Sequence, residues 1–333
     1  MTYGMHETVT LPRLRYPFSP AINPHADAIH ETTLAWLARF DVFQDDVSYN
    51  AFYSSHIGRL AARFHPYAPQ DVLQLVSDWY AWMFLKDDQR DESEFGKHPE
   101  LLAGANNRYL EILKGADLGA VEQPLTFALK DLRQRLVAQA PTSIWMRRFT
   151  RSIAEHFAST VWEATNRSRG LNPDLRSYLR MRPITGGLYV DTEFIGIAER
   201  THVPPEVREH PEVKTLMRTS NNVVCWANDL FSLEKEAGGG DVHNLVLVLQ
   251  HEQGYSLQRA VSEAVAMHNA QVEEFERVER QVPSFGQAVN TNLDRFVAVL
   301  KTRMRGNFDW SQESGRYKSR HILVARGRQP EGS

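Results

Sequence analysis

One cysteine, Cys225, occurs in 333 residues. A single thiol excludes an internal disulfide and a metal site made of several cysteines, and it suits a reducing compartment. No run of about 18 apolar residues occurs, so no segment reads as a membrane span. Residues 1–20 are polar and lack the apolar core of a signal peptide, so a cytoplasmic location is expected. There is no basic excess either. Lys and Arg total 38 against 41 Asp and Glu, which favours neither nucleic acid nor an anionic membrane as partner. Glycine-rich phosphate loops are missing, and period-two apolar runs are nearly absent.

What remains is 42% hydrophobic and 24% charged, enough for a substantial core. Helical spacing of apolar residues runs almost without interruption. It predicts helices over 23–40, with Asn23 as cap and Pro24 in the first turn, and over 48–64, 71–86, 99–114, 121–139 and 143–167. A short helix follows Asn172–Pro173–Asp174. Further ones are predicted over 185–200, 211–236, 241–250, 256–281 and 285–305. The expected fold class is all-α, a single domain of ten or more helices over 21–317. Residues 1–20 form an N-terminal arm and 318–333 a flexible tail, which order when something binds.

Two polar clusters interrupt this pattern. Asn228, Ser232 and Glu236 stand at i, i+4 and i+8, on one face of a helix. An amide oxygen, a hydroxyl and a carboxylate make an all-oxygen set suited to a hard divalent cation, above all Mg²⁺. Plain solvated polarity would give the same spacing. However, Val223, Val224, Cys225, Trp226, Leu230 and Phe231 make this helix apolar over most of its circumference, so its polar stripe should face an interior cleft. The second cluster is Asp87–Asp88–Gln89–Arg90–Asp91–Glu92. An acidic helix end is common, but Asp87 and Asp91 form an i, i+4 like-charge pair that a cation would relieve. The preceding segment carries Trp79, Tyr80, Trp82 and Phe84. Phe84 lies three residues before Asp87 and therefore on the same side, one turn deeper.

Two smaller features complete the set. Arg182–Pro183–Ile184–Thr185–Gly186–Gly187 places a glycine pair at a helix break, which leaves backbone carbonyls uncovered by side chains. Arg316–Tyr317 follows Trp310 near the C-terminus. Cys225, His243 and Trp36 read as core.

In this order and spacing, the features closely resemble one family, the class I terpene synthases of bacterial type. Asp87–Glu92 satisfies both the DDxxD and DDxxxE forms of the family's aspartate-rich motif. Asn228–Asp229–x–x–Ser232–x–x–x–Glu236 is similar to its NSE motif, with Lys235 before the last acid. Arg316–Tyr317 resembles the terminal RY pair. Arg182, 46 residues before Asn228, resembles the diphosphate-sensing arginine. Gly186 falls at the effector position, and Thr185 at a linker position often held by Asp.

The resemblance implies a helical bundle around a deep apolar cavity. Metal ligands would be Asp87, Asp88, Asp91, Glu92, Asn228, Ser232 and Glu236, with three Mg²⁺ ions present when diphosphate is bound. Arg182, Lys235, Arg316 and Tyr317 would hold the diphosphate, and Phe84 and Trp310 would line the cavity. The implied substrate is a linear isoprenyl diphosphate, foremost farnesyl diphosphate, cyclised to a sesquiterpene hydrocarbon or alcohol. Monoterpene and diterpene synthases share the pattern. An antiparallel homodimer is the usual assembly of the family.

A chain-elongating prenyltransferase would carry a second aspartate-rich motif in place of Asn228/Ser232/Glu236. A metal-dependent phosphohydrolase would place His in the clusters, and neither has one. A non-catalytic helical interaction protein would not keep every ligand position.

Overall fold

The computed structural model describes residues 8–92, 98–140, 142–317 and 322–324, without the side chains of 90–92 and 322–324. Among these residues the chain forms fourteen α-helices: α1 (Ala26–Ala38), α2 (Asp46–Ser55), α3 (Ile57–Phe64), α4 (Gln70–Glu92), α5 (Pro99–Lys114), α6 (Pro124–Gln139), α7 (Ser143–Arg169), α8 (Leu175–Thr185), α9 (Leu188–Ala198), α10 (Pro205–Arg208), α11 (Pro211–Gly239), α12 (Leu245–Gln253), α13 (Leu257–Glu279) and α14 (Gln287–Glu313). A 3-10 turn spans Gly315–Tyr317. The all-α class expected from the sequence is the one observed.

Helices α4 and α11 are buried over most of their circumference, as their sequences require. Val72, Leu73, Leu75, Val76, Trp79 and Trp82 of α4 are each at most 4% exposed, and α11 packs against both α13 and α14. By contrast, α13 buries only one stripe, with Ala260, Val261, Ala264, Val265, His268 and Val272 at helical spacing, so it lies on the outside.

Several boundaries differ from the sequence expectation. The stretch 48–64 is two helices, because His56 adopts a left-handed conformation at φ 53°. No glycine or proline marks this break. It is held from α14: Trp310 Nε1 donates to the carbonyls of Ser55 (2.8 Å) and His56 (3.1 Å), and Ser314 Oγ donates to that of Ser55 (2.9 Å). Asn23 does not cap α1. Its amide donates to the carbonyl of Ala68 (2.9 Å) and its oxygen accepts from His25 N (3.1 Å), so it closes a turn. Helix α4 runs through the acidic cluster, and α11 continues through Gly238 and Gly239 to a left-handed Gly240 at φ 74°. Helix α12 starts at Leu245 with Asn244 as cap, four residues later than expected.

Val9–Leu11 and Ile322–Val324 pair as a parallel two-stranded ladder, Val9 opposite Ile322. The sequence reads these segments as an arm and a tail that order when something binds. Val9 and Leu11 are each 1% exposed, and the Gln258 side chain of α13 bonds both the N–H and the carbonyl of Thr10 at 2.9 Å. Burying two alternate side chains accounts for the ordering of this short strand.

Candidate active site

A cavity of about 450 Å³ opens between α4, α8, α11, α14 and the 3-10 turn. One end is apolar, walled by Leu60, Phe64, Trp79, Met83, Phe84 and Trp310. The other end is polar and reaches solvent, where the Lys235 side chain is 45% exposed. Asp87, Arg182, Asn228, Ser232, Glu236, Arg316 and Tyr317 all line it. Residues far apart in sequence thus meet at one place.

Helix α4 brings Asp87 and Asp88 to the rim. Asp88 is held by Arg316 in a two-pronged pair, 2.9 Å from Nη1 and 2.6 Å from Nη2. Lys235 Nζ stands 3.5 Å from the same carboxylate. The Arg316 guanidinium also lies 5.0 Å from the centre of the Phe84 ring. Burial alone would lower its pKa, but Asp88 outweighs this and raises it. The side chains of Asp91 and Glu92 lie outside the described residues.

Helix α11 supplies the opposite wall. Asn228 Nδ2 donates to Tyr317 Oη at 2.7 Å, and Asn228 Oδ1 accepts from Arg182 Nη2 at 2.8 Å. Ser232 Oγ donates to the Asn228 carbonyl at 2.7 Å, which leaves its lone pairs toward the cavity. Glu236 accepts from Asn244 Nδ2 at 2.8 Å. Burial, with the negative charge of Asp229 nearby, pushes the Glu236 carboxyl up to about 8. Burial likewise pushes the Tyr317 phenol up to about 12.

The break between α8 and α9 is built around one carbonyl. The Arg182 oxygen accepts from Gly186 N (2.9 Å), Thr185 Oγ1 (3.2 Å) and Cys225 Sγ (3.6 Å). It is therefore covered, where the sequence suggests open carbonyls. A Cβ on Gly186 would sit 2.7 Å from Cys225 Sγ, so only glycine fits against α11 here. Gly187 then takes φ 71° and starts α9. Cys225 is core, as expected, and burial raises its thiol to about 11.

Asp229, the residue after Asn228, is a component that the motif reading passes over. It is fully buried and accepts from Arg182 Nε at 2.8 Å, from Tyr178 Oη and from Leu245 N at 3.1 Å. Its only sequence signal is an acid in an otherwise apolar stretch. Trp310 and Phe84 both line the cavity, with ring centres 5.9 Å apart and edge to face. Among the described residues no three His, Cys, Asp or Glu side chains converge as a metal shell. The oxygens that do converge include an amide and a hydroxyl, which still suit a hard cation.

Known proteins share this architecture. A family model described as terpene synthase family 2, C-terminal metal binding, matches residues 78–274. The chain is 40% identical over 309 residues to a (+)-T-muurolol synthase, (2E,6E)-farnesyl diphosphate cyclizing, of Roseiflexus castenholzii, covering 93% of this chain and 94% of the relative. It is 34% identical to a germacrene A synthase of Nostoc punctiforme, covering 92% and 94%. The solved structure of wild-type cucumene synthase superposes with a TM-score of 0.78 at 26% identity, over 89% of this chain and 99% of that one. The chain belongs to the bacterial class I terpene synthases. These are carbon–oxygen lyases acting on diphosphates, and the matched domain implies use of a divalent metal. Among the described residues no helix is long and apolar enough to cross a membrane.

Proposed function

We propose that this protein ionises farnesyl diphosphate with Mg²⁺ and cyclises the resulting cation to a sesquiterpene. The observation that carries this reading is that one cavity has both an oxygen- and guanidinium-rich end and an aromatic end. Asp87, Asp88, Asn228, Ser232 and Glu236 offer only oxygen donors. They fit Mg²⁺ better than Zn²⁺, which prefers nitrogen and sulfur. These residues would hold the Mg²⁺ ions, three by family resemblance, which would supply positive charge to the leaving diphosphate; Asp91 and Glu92 would be further ligands by the same resemblance.

The chain's own residues then do the following. Arg316, Lys235, Tyr317 and Arg182 donate to the diphosphate. Arg316 and Lys235 leave Asp88 to do so, and Arg182 stays anchored on Asp229. Charge developing on the leaving group meets cations already in place, commonly the largest catalytic contribution. The break at Gly186 lets the α8–α9 backbone approach the reacting end. Phe84 and Trp310 present ring faces and edges to the allylic cation, worth about 0.5–2 kcal/mol for each face engaged. The apolar walls keep water away until the cascade is complete. An antiparallel homodimer in the cytoplasm is the expected setting.

The test is diphosphate release from farnesyl diphosphate with Mg²⁺, with and without isopentenyl diphosphate. Release that needs no isopentenyl diphosphate and stops on chelation supports a cyclase. Release and chain growth only in its presence would indicate a prenyltransferase.

A further inference from the structure

A polar cluster sits where the cavity is otherwise apolar, and the chemistry above leaves it unused. His65 follows α3, Tyr80 is on α4, Asp191 on α9 and Arg303 on α14. His65 and Arg303 are both 0% exposed, Asp191 5% and Tyr80 7%. Arg303 Nη1 donates to Asp191 Oδ2 at 2.8 Å, and its Nη2 to Asn221 Oδ1 at 2.6 Å. Asp191 Oδ1 takes the Tyr80 hydroxyl, with His65 Nε2 3.3 Å away. Tyr80 and Asp191 both line the cavity wall.

Tyr80 precedes Asp87 by seven residues on one helix. Seven steps of about 100° bring it within about 20° of the same face, roughly 10 Å deeper. Its hydroxyl is therefore a polar group at the end away from the diphosphate. A buried ion pair alone adds little net stability over apolar packing, so a structural role does not explain why a phenol joins it at the cavity wall. Burial raises the Asp191 carboxyl, but the His65 hydrogen bond and the Arg303 charge outweigh burial and hold it at about 2. Burial and Asp191 together raise the Tyr80 phenol well above its usual range. The pair is thus a neutral phenol hydrogen-bonded to a carboxylate.

We propose that Tyr80, backed by Asp191, accepts the proton that ends the reaction at the apolar end of the cavity. This rests on the cyclase reading above. The C–H bond beside the final cationic carbon breaks and its electron pair forms the alkene. The proton goes to Tyr80 Oη, and the phenol's own proton passes to Asp191 Oδ1. The cation's charge and the carboxylate's charge are cancelled together. Where water has added to the cation, the proton lost from that oxygen follows the same route. His65 and Arg303 are positioning residues that fix the carboxylate.

The experiment compares wild type with Tyr80→Phe for melting temperature, diphosphate release from farnesyl diphosphate and product identity by gas chromatography–mass spectrometry. Diphosphate release is expected within about threefold of wild type, because ionisation occurs at the other end. The carbon skeleton is expected to persist. The position of the last double bond, or the alcohol-to-alkene ratio, should shift at least about fivefold. Asp191→Asn keeps a partner for the phenol but removes the proton's destination, and should give the same shift. Should that variant not fold with Arg303 unpaired, replacing Tyr80 by 3-fluorotyrosine decides the matter. That replacement keeps the shape and weakens the oxygen as a base, and a smaller shift in the same direction is expected.

An unchanged isomer ratio in folded Tyr80→Phe would overturn the proposal. So would a new ring skeleton, which would make Tyr80 a shaping residue. A wild-type protein that releases no diphosphate from any prenyl diphosphate would instead overturn the cyclase reading, a distinct result.

Discussion

Arg182 and Asp229 are joined through one carboxylate oxygen, 2.8 Å from Nε and 2.7 Å from Nη2, and the Asp229 side chain is fully buried. This pair ties the α8–α9 break to the middle of α11. The same arginine reaches Asn228 at 2.8 Å. Arg182 is thus both a group facing the cavity and the counter-charge of a buried acid. Arg316 differs, because its partner Asp88 is 20% exposed and lies at the rim.

The two arginines should therefore fail differently. Arg316→Ala is expected to slow diphosphate release at least tenfold, about 1.4 kcal/mol, with little change in melting temperature. Arg182→Ala strands Asp229 and should also cost about 3 kcal/mol of stability. Thermal melts beside steady-state kinetics check this. Equal melting temperatures for Arg182→Ala and wild type would remove its structural role.

Glu236→Gln retains shape and the contact with Asn244 at 2.8 Å, but it cannot give up a proton to present a charged oxygen to a bound cation. A loss of at least about a hundredfold in turnover, roughly 2.7 kcal/mol, is expected in a protein that still folds. Wild-type turnover in this variant would reduce the Asn228/Ser232/Glu236 stripe to a polar helix face.

Phe84 is only half-buried and contacts Trp310 edge to face. Phe84→Ala should cost about 1–3 kcal/mol, below the 3–5 typical of fully buried phenylalanine. Substrate should still be consumed, with products shifted toward acyclic and less-cyclised hydrocarbons and alcohols. A wild-type product ratio from a folded variant would take Phe84 out of the cation's path.

His268 carries a pH dependence of stability. Its ring lies between Tyr16 Oη at 2.9 Å and Asn269 Oδ1 at 3.1 Å, fully buried, and burial lowers its pKa to about 4. The unfolded chain binds this proton near pH 6.5, so it carries more protons than the native state between about 4 and 6.5. The contribution is full above about 6.5 and is lost as pH falls toward 4, up to about 3 kcal/mol. Denaturant melts across this window should show a shallower slope for His268→Gln than for wild type. Parallel slopes would contradict the assignment.

The helical class and the two motif-bearing helices were legible because apolar periodicity and i, i+4 spacing are local. What was not legible is set by contacts across the fold. The break at His56 depends on Trp310 and Ser314, more than 250 residues away. The first strand depends on Gln258 and on pairing with residues 322–324. Asp229 was hidden because an acid in an apolar stretch does not reveal its partners, Arg182 and Tyr178, which lie 47 and 51 positions away. Tyr80 and Asp191 were hidden because they meet across 111 positions, and Arg303, the partner of Asp191, lies a further 112 positions on. Gly186 shows the opposite case: the glycine was visible, and the structure adds that Cys225 Sγ is what it must clear.

The central claim is tested most directly by incubating the protein with geranyl, farnesyl and geranylgeranyl diphosphate, with and without Mg²⁺, and analysing the extracts by gas chromatography–mass spectrometry. The account predicts cyclic fifteen-carbon products from farnesyl diphosphate, present with Mg²⁺ and absent after chelation. Cyclic products formed equally well after exhaustive chelation, or no cyclic fifteen-carbon product from farnesyl diphosphate, would contradict it.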